Sequence, residues 1–110
     1  DKEVYTITYT TTREILLNKN VRIGRPDFDS ENDVVFDYLY KHPKTTHTKE
    51  KIETETHREI GKPLHKIVEN LGFTKDLKKI FFKVSKTSIC FNNPVTERDM
   101  QDMGLQHINL

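Results

Sequence analysis

The alternation of apolar and polar side chains predicts strands at the start of this chain. In residues 4–10, VYTITYT, apolar or aromatic side chains alternate with threonines, which is typical of a half-buried strand. Residues 15–17 and 21–23 continue the alternation on either side of the Asn-rich turn 18–20, as the two strands of a β-hairpin would. We therefore predict a small antiparallel sheet over residues 4–25.

A helical pattern follows, and it predicts a first helix over residues 29–42. Ser30 or Asp29 is placed to cap the first amides, and Asp33 lies three residues after Ser30, like the acid of a capping box. Apolar positions at spacings of three and four define one buried face: Val35, Tyr38 and Leu39.

Two shorter helices are predicted next, over residues 48–56 and 61–72. The first has Thr48 as its cap and carries little apolar surface. The second has apolar residues at the i, i+3, i+4 and i+7 positions of one face: Leu64, Ile67, Val68 and Leu71. Gly72 fits the left-handed position that commonly ends a helix.

The segment after the third helix predicts a second β-hairpin, over residues 78–92. Apolar positions alternate along both of its strands: Ile80, Phe82 and Val84, then Ile89 and Phe91. Residues 93–110 are predicted to form a short helix and tail, with Thr96 as the cap and Gly104 as the end of the helix. We expect residues 1–92 to form one domain.

The composition of the 110 residues agrees with one small domain. Hydrophobic residues make up 34% and charged residues 32%, so we expect a small core beneath a heavily charged surface. No run of about 18 apolar residues occurs, and we expect no membrane partner. Cys90 is the single cysteine, and residues 1–12 lack the pattern of a signal peptide, so we expect a reducing, cytoplasmic setting.

The net charge of +1 is unevenly distributed along the chain. Residues 1–40 carry a net charge of −3, residues 41–92 carry +6, and residues 93–110 carry −2. A basic segment between two acidic ones favours an anionic partner facing the middle of the chain, although a solvated lysine-rich surface would give the same numbers.

The order of sheet, three helices and hairpin resembles a winged helix-turn-helix, an α+β fold, over about residues 29–92. With the N-terminal sheet in front, it resembles the effector domain of OmpR/PhoB-type response regulators, here without a receiver domain. The stretch REILLNKNVRIGRPDFDSENDVVFDYLYKHP is similar to their strand, turn, strand and first helix, and KPLHKIVENLGF is similar to their third helix. The hairpin departs from that family because it closes as SICFNNP instead of Gly-Tyr-Arg.

The resemblance implies double-stranded DNA as the partner, with the third helix in the major groove and the hairpin as a wing along the backbone. The residues on the outward face of that helix are Lys62, His65, Lys66, Glu69 and Asn70. Lys66 would meet guanine acceptors, Asn70 would pair with adenine, and Glu69 would accept from cytosine. The implied phosphate contacts are Lys44, Arg58, Lys78, Lys79, Lys83 and Lys86.

Two functional hypotheses follow. The first is a DNA-binding domain, either a transcriptional regulator or a replication or plasmid-type protein. Two-fold DNA sites would require a homodimer, for which the N-terminal strands or residues 96–105 are candidate seams. The alternative is a winged-helix protein-interaction module without DNA binding. It is favoured by the modest net charge and by four glutamates near the expected DNA side: Glu50, Glu53, Glu55 and Glu59. It is also favoured by the tail, where Met100, Met103 and Leu105 are expected to pack on the domain or against a partner.

Catalytic and metal chemistry is not indicated. The five histidines are separated by 5, 10, 8 and 42 positions, none of which is a paired zinc spacing, and Cys90 has no second cysteine beside it. No Gly-rich phosphate loop and no Gly-x-Ser-x-Gly element occurs. We therefore expect no cofactor, no metal and no enzymatic activity.

Overall fold

The computed structural model describes residues 1–105, which form eight strands and five helices. The strands are β1 Glu3–Tyr5, β2 Ile7–Tyr9, β3 Ile15–Leu17, β4 Val21–Gly24, β5 Thr46–Thr48, β6 Phe82–Val84, β7 Ser88–Phe91 and β8 Val95–Thr96. The helices are α1 Glu31–Lys41, α2 Lys49–Thr56, α3 Leu64–Asn70, α4 Lys75–Phe81 and α5 Glu97–Asp102. The predicted α+β class is confirmed. Of the predicted tail 93–110, residues 106–110 lie outside the described part.

Antiparallel pairing organises the strands into three small sheets in this part of the chain. Strands β2, β3 and β4 pair in that order, which confirms the sheet predicted over residues 4–25. Strand β1 does not join them but pairs with β8, so the predicted helix-and-tail segment also supplies a strand. The third sheet has the order β5-β7-β6, with β5 coming from the connection between α1 and α2.

The predicted caps of three helices are confirmed. Ser30 accepts a hydrogen bond from the Asp33 amide, and Thr48 accepts one from the Lys51 amide. Thr96 and Asp99 form a reciprocal capping box on α5. These caps explain why α1, α2 and α5 begin where they do, because each satisfies an amide that has no partner within its helix.

Asp33 does not complete the capping box predicted for α1. Its carboxylate accepts hydrogen bonds from the Asp29 amide at 2.7 Å and from the Tyr9 hydroxyl at 2.6 Å, while the Ser30 amide donates to the Asp27 carbonyl. Burial and the bond to Asp33 raise the pKa of Tyr9 above its usual range. Asp33 therefore ties α1 to β2, a role that the sequence spacing did not indicate.

The third helix is shorter than predicted. It begins at Leu64 because Pro63 takes an extended conformation with ψ 142° as its N-cap, and it ends at Asn70. Gly72 has φ +105°, which confirms the predicted left-handed end. A side chain at Gly72 would strike the carbonyl of Ile23, and one at Gly24 would strike the carbonyl of Leu71. The two glycines thus allow β4 and the end of α3 to approach backbone to backbone.

The prediction of a strand beginning at Lys78 was wrong, because residues 75–81 form helix α4. Ile80 and Phe81 are both buried and Leu77 packs against the same core, which is the i, i+3, i+4 spacing of a helix. The hairpin begins only at Phe82, which is also buried. Two consecutive buried phenylalanines mark the junction between the two periodicities.

The hairpin has a tight turn that is closed by serine instead of glycine. The Ser85 amide donates to the Ser88 carbonyl at 2.9 Å, and the Ser85 hydroxyl accepts from the Ser88 amide at 3.0 Å. The turn residues between them, Lys86 and Thr87, are exposed. A hydroxyl can bond to nearby backbone and stabilise a turn in this way.

The core lies where the N-terminal sheet, α1 and the hairpin meet. The Phe36 ring is completely buried and contacts the rings of Tyr9, Phe73 and Phe91, with centroid distances of 4.7, 5.7 and 5.2 Å. Edge-to-face and tilted contacts of this kind add to the stabilisation from apolar burial. The longest described helix, α1, has 11 residues, and no helix within residues 1–105 could span a membrane.

Buried Asn93 joins the two ends of the fold. Its Oδ1 accepts from the Ile7 amide at 2.8 Å, and its Nδ2 donates to the Ile7 carbonyl at 3.1 Å. The side chain thus satisfies both backbone groups of a residue in the edge strand β2. Together with the β1–β8 pairing, it attaches the N-terminal strands to the segment that follows the hairpin.

Candidate nucleic-acid interface

An open groove of about 1150 Å³ runs between α3, α4, β6 and the end of α5. Helix α3 contributes His65 and Glu69 to it, and β6 contributes Phe82, Lys83 and Val84. The remaining walls come from α4, the residue before it, and the chain around the end of α5: Thr74, Lys75, Lys78, Lys79, Asp102, Met103 and Leu105. The groove therefore places the outward face of α3 opposite the lysines of α4 and the hairpin.

Most of the predicted phosphate contacts gather around this groove. Lys78 and Lys79 lie on α4 and Lys83 on β6, and all three line the groove. Lys79 and Lys83 also line an adjoining cavity of about 420 Å³ together with Lys44, which follows α1. Four lysines from three separate segments thus surround one continuous surface. Lys44 pairs with Asp99 and Lys78 with Glu69, each at 3.2 Å, so the excess positive charge there comes from Lys79 and Lys83.

Glu69, which opposes DNA binding by its charge, is neutralised within the protein. Its carboxylate lies 3.2 Å from the Lys78 ammonium and 3.9 Å from the Lys66 ammonium. The hydrogen bond from Lys78 and the nearby positive charges hold the pKa of Glu69 below its usual range, although partial desolvation opposes them. The pairing connects α3 to α4 and places positive charge next to the acid.

A second group of cations lies at the start of α3. The Lys49 ammonium donates to the Lys62 carbonyl at 3.3 Å, and the Lys49 amide donates to the Thr87 carbonyl at 2.8 Å. These contacts bring the beginnings of α2 and α3 next to the hairpin turn that carries Lys86. Lys62 and Lys86 are exposed, as the predicted interface requires.

Asn70 and Arg58 lie apart from the lysine cluster. Asn70 is exposed in the last turn of α3. Arg58 follows α2 and is held by the loop before α1, with its guanidinium 3.2 Å from the Asp29 carboxylate and 3.2 Å from the Asp29 carbonyl. Arg58 is therefore the predicted phosphate contact whose charge is paired with an acid outside the groove lining.

No family model, curated protein or solved structure matches this chain. Its function therefore has to be inferred from its own residues and their arrangement.

The sequence interpretation missed Lys49 and Lys75. The spacing of Leu77, Ile80 and Phe81 fits a helix with a lysine in its first turn, but the same segment also carries the alternating pattern of a strand, so local spacing did not decide. Met103 and Leu105 were expected to pack on the domain or against a partner, and both line the groove.

Two of the histidines, His42 and His47, form contacts of a structural kind. His47 is buried on β5, and its Nε2 lies 3.1 Å from the His42 carbonyl. The rings of His42 and His47 both pack against Tyr38, with centroid distances of 4.4 and 5.1 Å. Within residues 1–105, no three His, Cys, Asp or Glu side chains come together in a way that could hold a metal ion.

Proposed function

We propose that this chain is a DNA-binding domain of winged-helix type, acting in transcription regulation or replication. Helix α3 enters the major groove, and the lysines of α4, β6 and the loop after α1 contact the phosphates. The observation that carries the proposal is the joint position of α3 and these lysines around one groove.

The sheet topology supports the proposal. A strand between the first two helices pairs with the second strand of a hairpin that follows the third helix, giving the order β5-β7-β6. This is the arrangement expected of a winged helix. Helix α4 is an addition between α3 and the hairpin, and it moves Lys78 and Lys79 from the wing onto a helix.

The dimensions and charges of the surface also support it. An α-helix with its side chains is about 10–12 Å across, and the major groove of B-DNA is about 12 Å wide. The exposed face of α3 carries His65 and Lys66, while its acid, Glu69, is paired internally. Lys62, predicted to lie on this helix, is exposed just before it. The backbone contacts would come from side chains that reach from neighbouring elements, as they do in other helix-based readers.

Titration of a labelled duplex at several salt concentrations tests the proposal. We expect affinity to fall steeply with salt, with a log–log slope that corresponds to on the order of 4–6 phosphates at about 0.9 per phosphate. Absence of binding to any duplex at low salt would overturn the proposal.

Two variants test the assignment of roles. Replacing both Lys79 and Lys83 with alanine should weaken binding to all sequences alike and reduce the salt slope by about 2, because each phosphate contact contributes about 0.9. Asn70→Ala should instead change sequence preference. Lys41→Ala is the matched control, because Lys41 lies on α1 and pairs with Asp37 at 2.8 Å, away from the groove lining. An equal loss in the Lys41 variant would show that only overall charge matters.

A further inference from the structure

We infer that the groove between α3, α4 and α5 also docks an acidic amphipathic helix of a protein partner. The groove has an apolar floor that DNA binding does not explain. Its apolar side chains come from β6 and from the chain around the end of α5: Phe82, Val84, Met103 and Leu105. Met103 has 38% of its surface exposed, and it is one of three large hydrophobic residues so exposed within the described chain.

DNA makes little use of an apolar floor. Phosphates and sugars present polar or charged atoms, and the base edges offer thymine methyl groups as their chief apolar contact. An apolar strip at the base of a groove is instead the usual seat for the leucine-rich face of an amphipathic helix. The volume of about 1150 Å³ and the open shape suit a peptide helix better than a small molecule, which typically occupies about 300–1000 Å³.

The charges around the floor determine the kind of helix. Lys75, Lys78, Lys79 and Lys83 stand along the groove, against the two carboxylates of Glu69 and Asp102. Glu69 is already paired with Lys78. The net potential is therefore positive, and a helix with acidic residues flanking an apolar stripe is complementary to both the rim and the floor.

The docked helix and DNA would share Lys78, Lys79 and Lys83, so each should exclude the other. This exclusion depends on the proposed DNA binding, whereas the docking itself does not. No residue between 1 and 105 covers the groove so as to bury Met103. The consequence would be a DNA-binding surface that an acidic partner can occupy and silence.

A designed peptide tests the docking. The probe is a fluorescein-labelled helical peptide of about 16 residues, with leucines at i, i+3, i+4 and i+7 and glutamates at most other positions. The comparison probe has the same composition in scrambled order. We expect the ordered peptide to bind the full chain at least about tenfold more tightly than the scrambled one, because only the ordered peptide presents a continuous apolar stripe. Equal affinity of the two peptides would overturn the inference, since charge alone would then explain binding.

The variant pair Val84→Thr and Met103→Gln, made together, removes apolar character from the floor while keeping side-chain size and every charge. We expect peptide affinity to fall by about tenfold or more, because the apolar contacts are lost while every lysine of the groove remains. Val21→Thr is the control, because Val21 is an exposed valine on β4 with 56% of its surface accessible. Circular dichroism of each variant verifies folding. If a folded double variant binds the peptide as well as the parent chain does, the inference is wrong.

Four further outcomes separate the alternatives. If sedimentation shows a dimer that the Val84/Met103 variant converts to monomer, and no peptide binds, the occupant is a second copy and the inference is overturned. Displacement of labelled DNA by the ordered peptide would support the mutual exclusion of peptide and DNA. Peptide binding without any DNA binding would overturn the proposed function and leave the docking intact. DNA binding without peptide binding would overturn the docking and leave the proposed function intact.

Discussion

Under the proposed function, Glu69 would affect specificity and affinity for DNA in opposite ways. In the present arrangement its carboxylate engages Lys66 and Lys78, which are predicted to contact guanine and phosphate, respectively. If Glu69 turned toward cytosine in the proposed complex, both lysines would be released at the same time. Base recognition by Glu69 and DNA contact by its two partners would therefore be coupled through two ion pairs.

Glu69→Gln should strengthen DNA binding severalfold at low salt while lowering discrimination between sequences. The substitution frees Lys66 and Lys78, of which Lys78 is the predicted phosphate contact, so the salt slope should steepen by about 0.9. Anisotropy titrations against two unrelated duplexes measure both effects. Glu3→Gln is the control because it removes the same charge from an exposed residue of β1, outside the groove lining; an equal gain there would mean that the ion pairs play no part.

Gly72→Ala should destabilise the protein by about 2–4 kcal/mol, since alanine at positive φ is strained and its Cβ would strike the Ile23 carbonyl. Gly104 also has positive φ, at +72°, but a Cβ there would meet nothing within 4 Å. Gly104→Ala should therefore cost only about 1 kcal/mol. The free energies of unfolding of both variants, measured in urea, separate the strain at positive φ from the clash with Ile23. Equal losses of stability in the two variants would refute the close approach of β4 and the end of α3.

At the scale of elements, helix α4 shows what the spacing of apolar residues can and cannot predict. The caps of α1, α2 and α5 and the glycine after α3 are short-range features, and the sequence predicts them correctly. The segment 75–84 carries two periodicities that share Ile80, one helical and one alternating. Nothing local decides between them, because the choice depends on whether Phe81 finds a buried place in the core, which only the assembled fold provides.

Helix α5 provides a pH-dependent test at this scale. The hydrogen bond from the Thr96 amide and then the contact with Lys44 hold the pKa of Asp99 below its usual range. A carboxylate with a lowered folded-state pKa stabilises the fold above its unfolded pKa and loses that contribution as the pH falls through the folded value.

Asp99→Asn should therefore cost about 0.5–1 kcal/mol near neutral pH, the size of a charge effect at a helix end. The difference from the parent chain should shrink as the pH falls below the ordinary range of an aspartate pKa, because the lowered folded-state pKa of Asp99 is then approached and its charge is lost. Urea unfolding at neutral and at acidic pH measures it. Asp102→Asn, at the other end of the same helix, should show no such loss near neutral pH; if both variants lose stability equally, the cap is not responsible.

At the scale of the whole molecule, the N-terminal strands are attached to the C-terminal half by the β1–β8 pairing, the Asn93 bridge to Ile7, and the approach of Gly24 to Gly72, in addition to the contact of Tyr9 with Asp33 of α1. All of these links join residues that are far apart in sequence. The sequence predicted the elements but not these links, because cross-chain contacts leave no periodic signal. The lysines could be predicted because each lies on an element with a local signal. The apolar floor of the groove was missed because it forms only where distant segments meet.

We expect these links to make unfolding a single cooperative transition. The near-ultraviolet signal of the tyrosines, which lie on the N-terminal strands and α1, should disappear together with the far-ultraviolet helix signal in urea. An earlier loss of the tyrosine signal would show that the N-terminal strands separate first and that the links are weak.

Because of the Asn93 bridge, the exchange rate of one amide proton, that of Ile7, reports on the whole fold. The amide of Ile7 gives its hydrogen to a side chain that is 86 positions away along the chain. Exchange of that hydrogen with solvent deuterium requires the bridge to open, so its rate measures how often the two ends of the fold come apart. A ligand in the groove would contact the segment that follows Asn93 along the chain. The Ile7 amide resonance would therefore show whether such a ligand holds the two ends together or releases them.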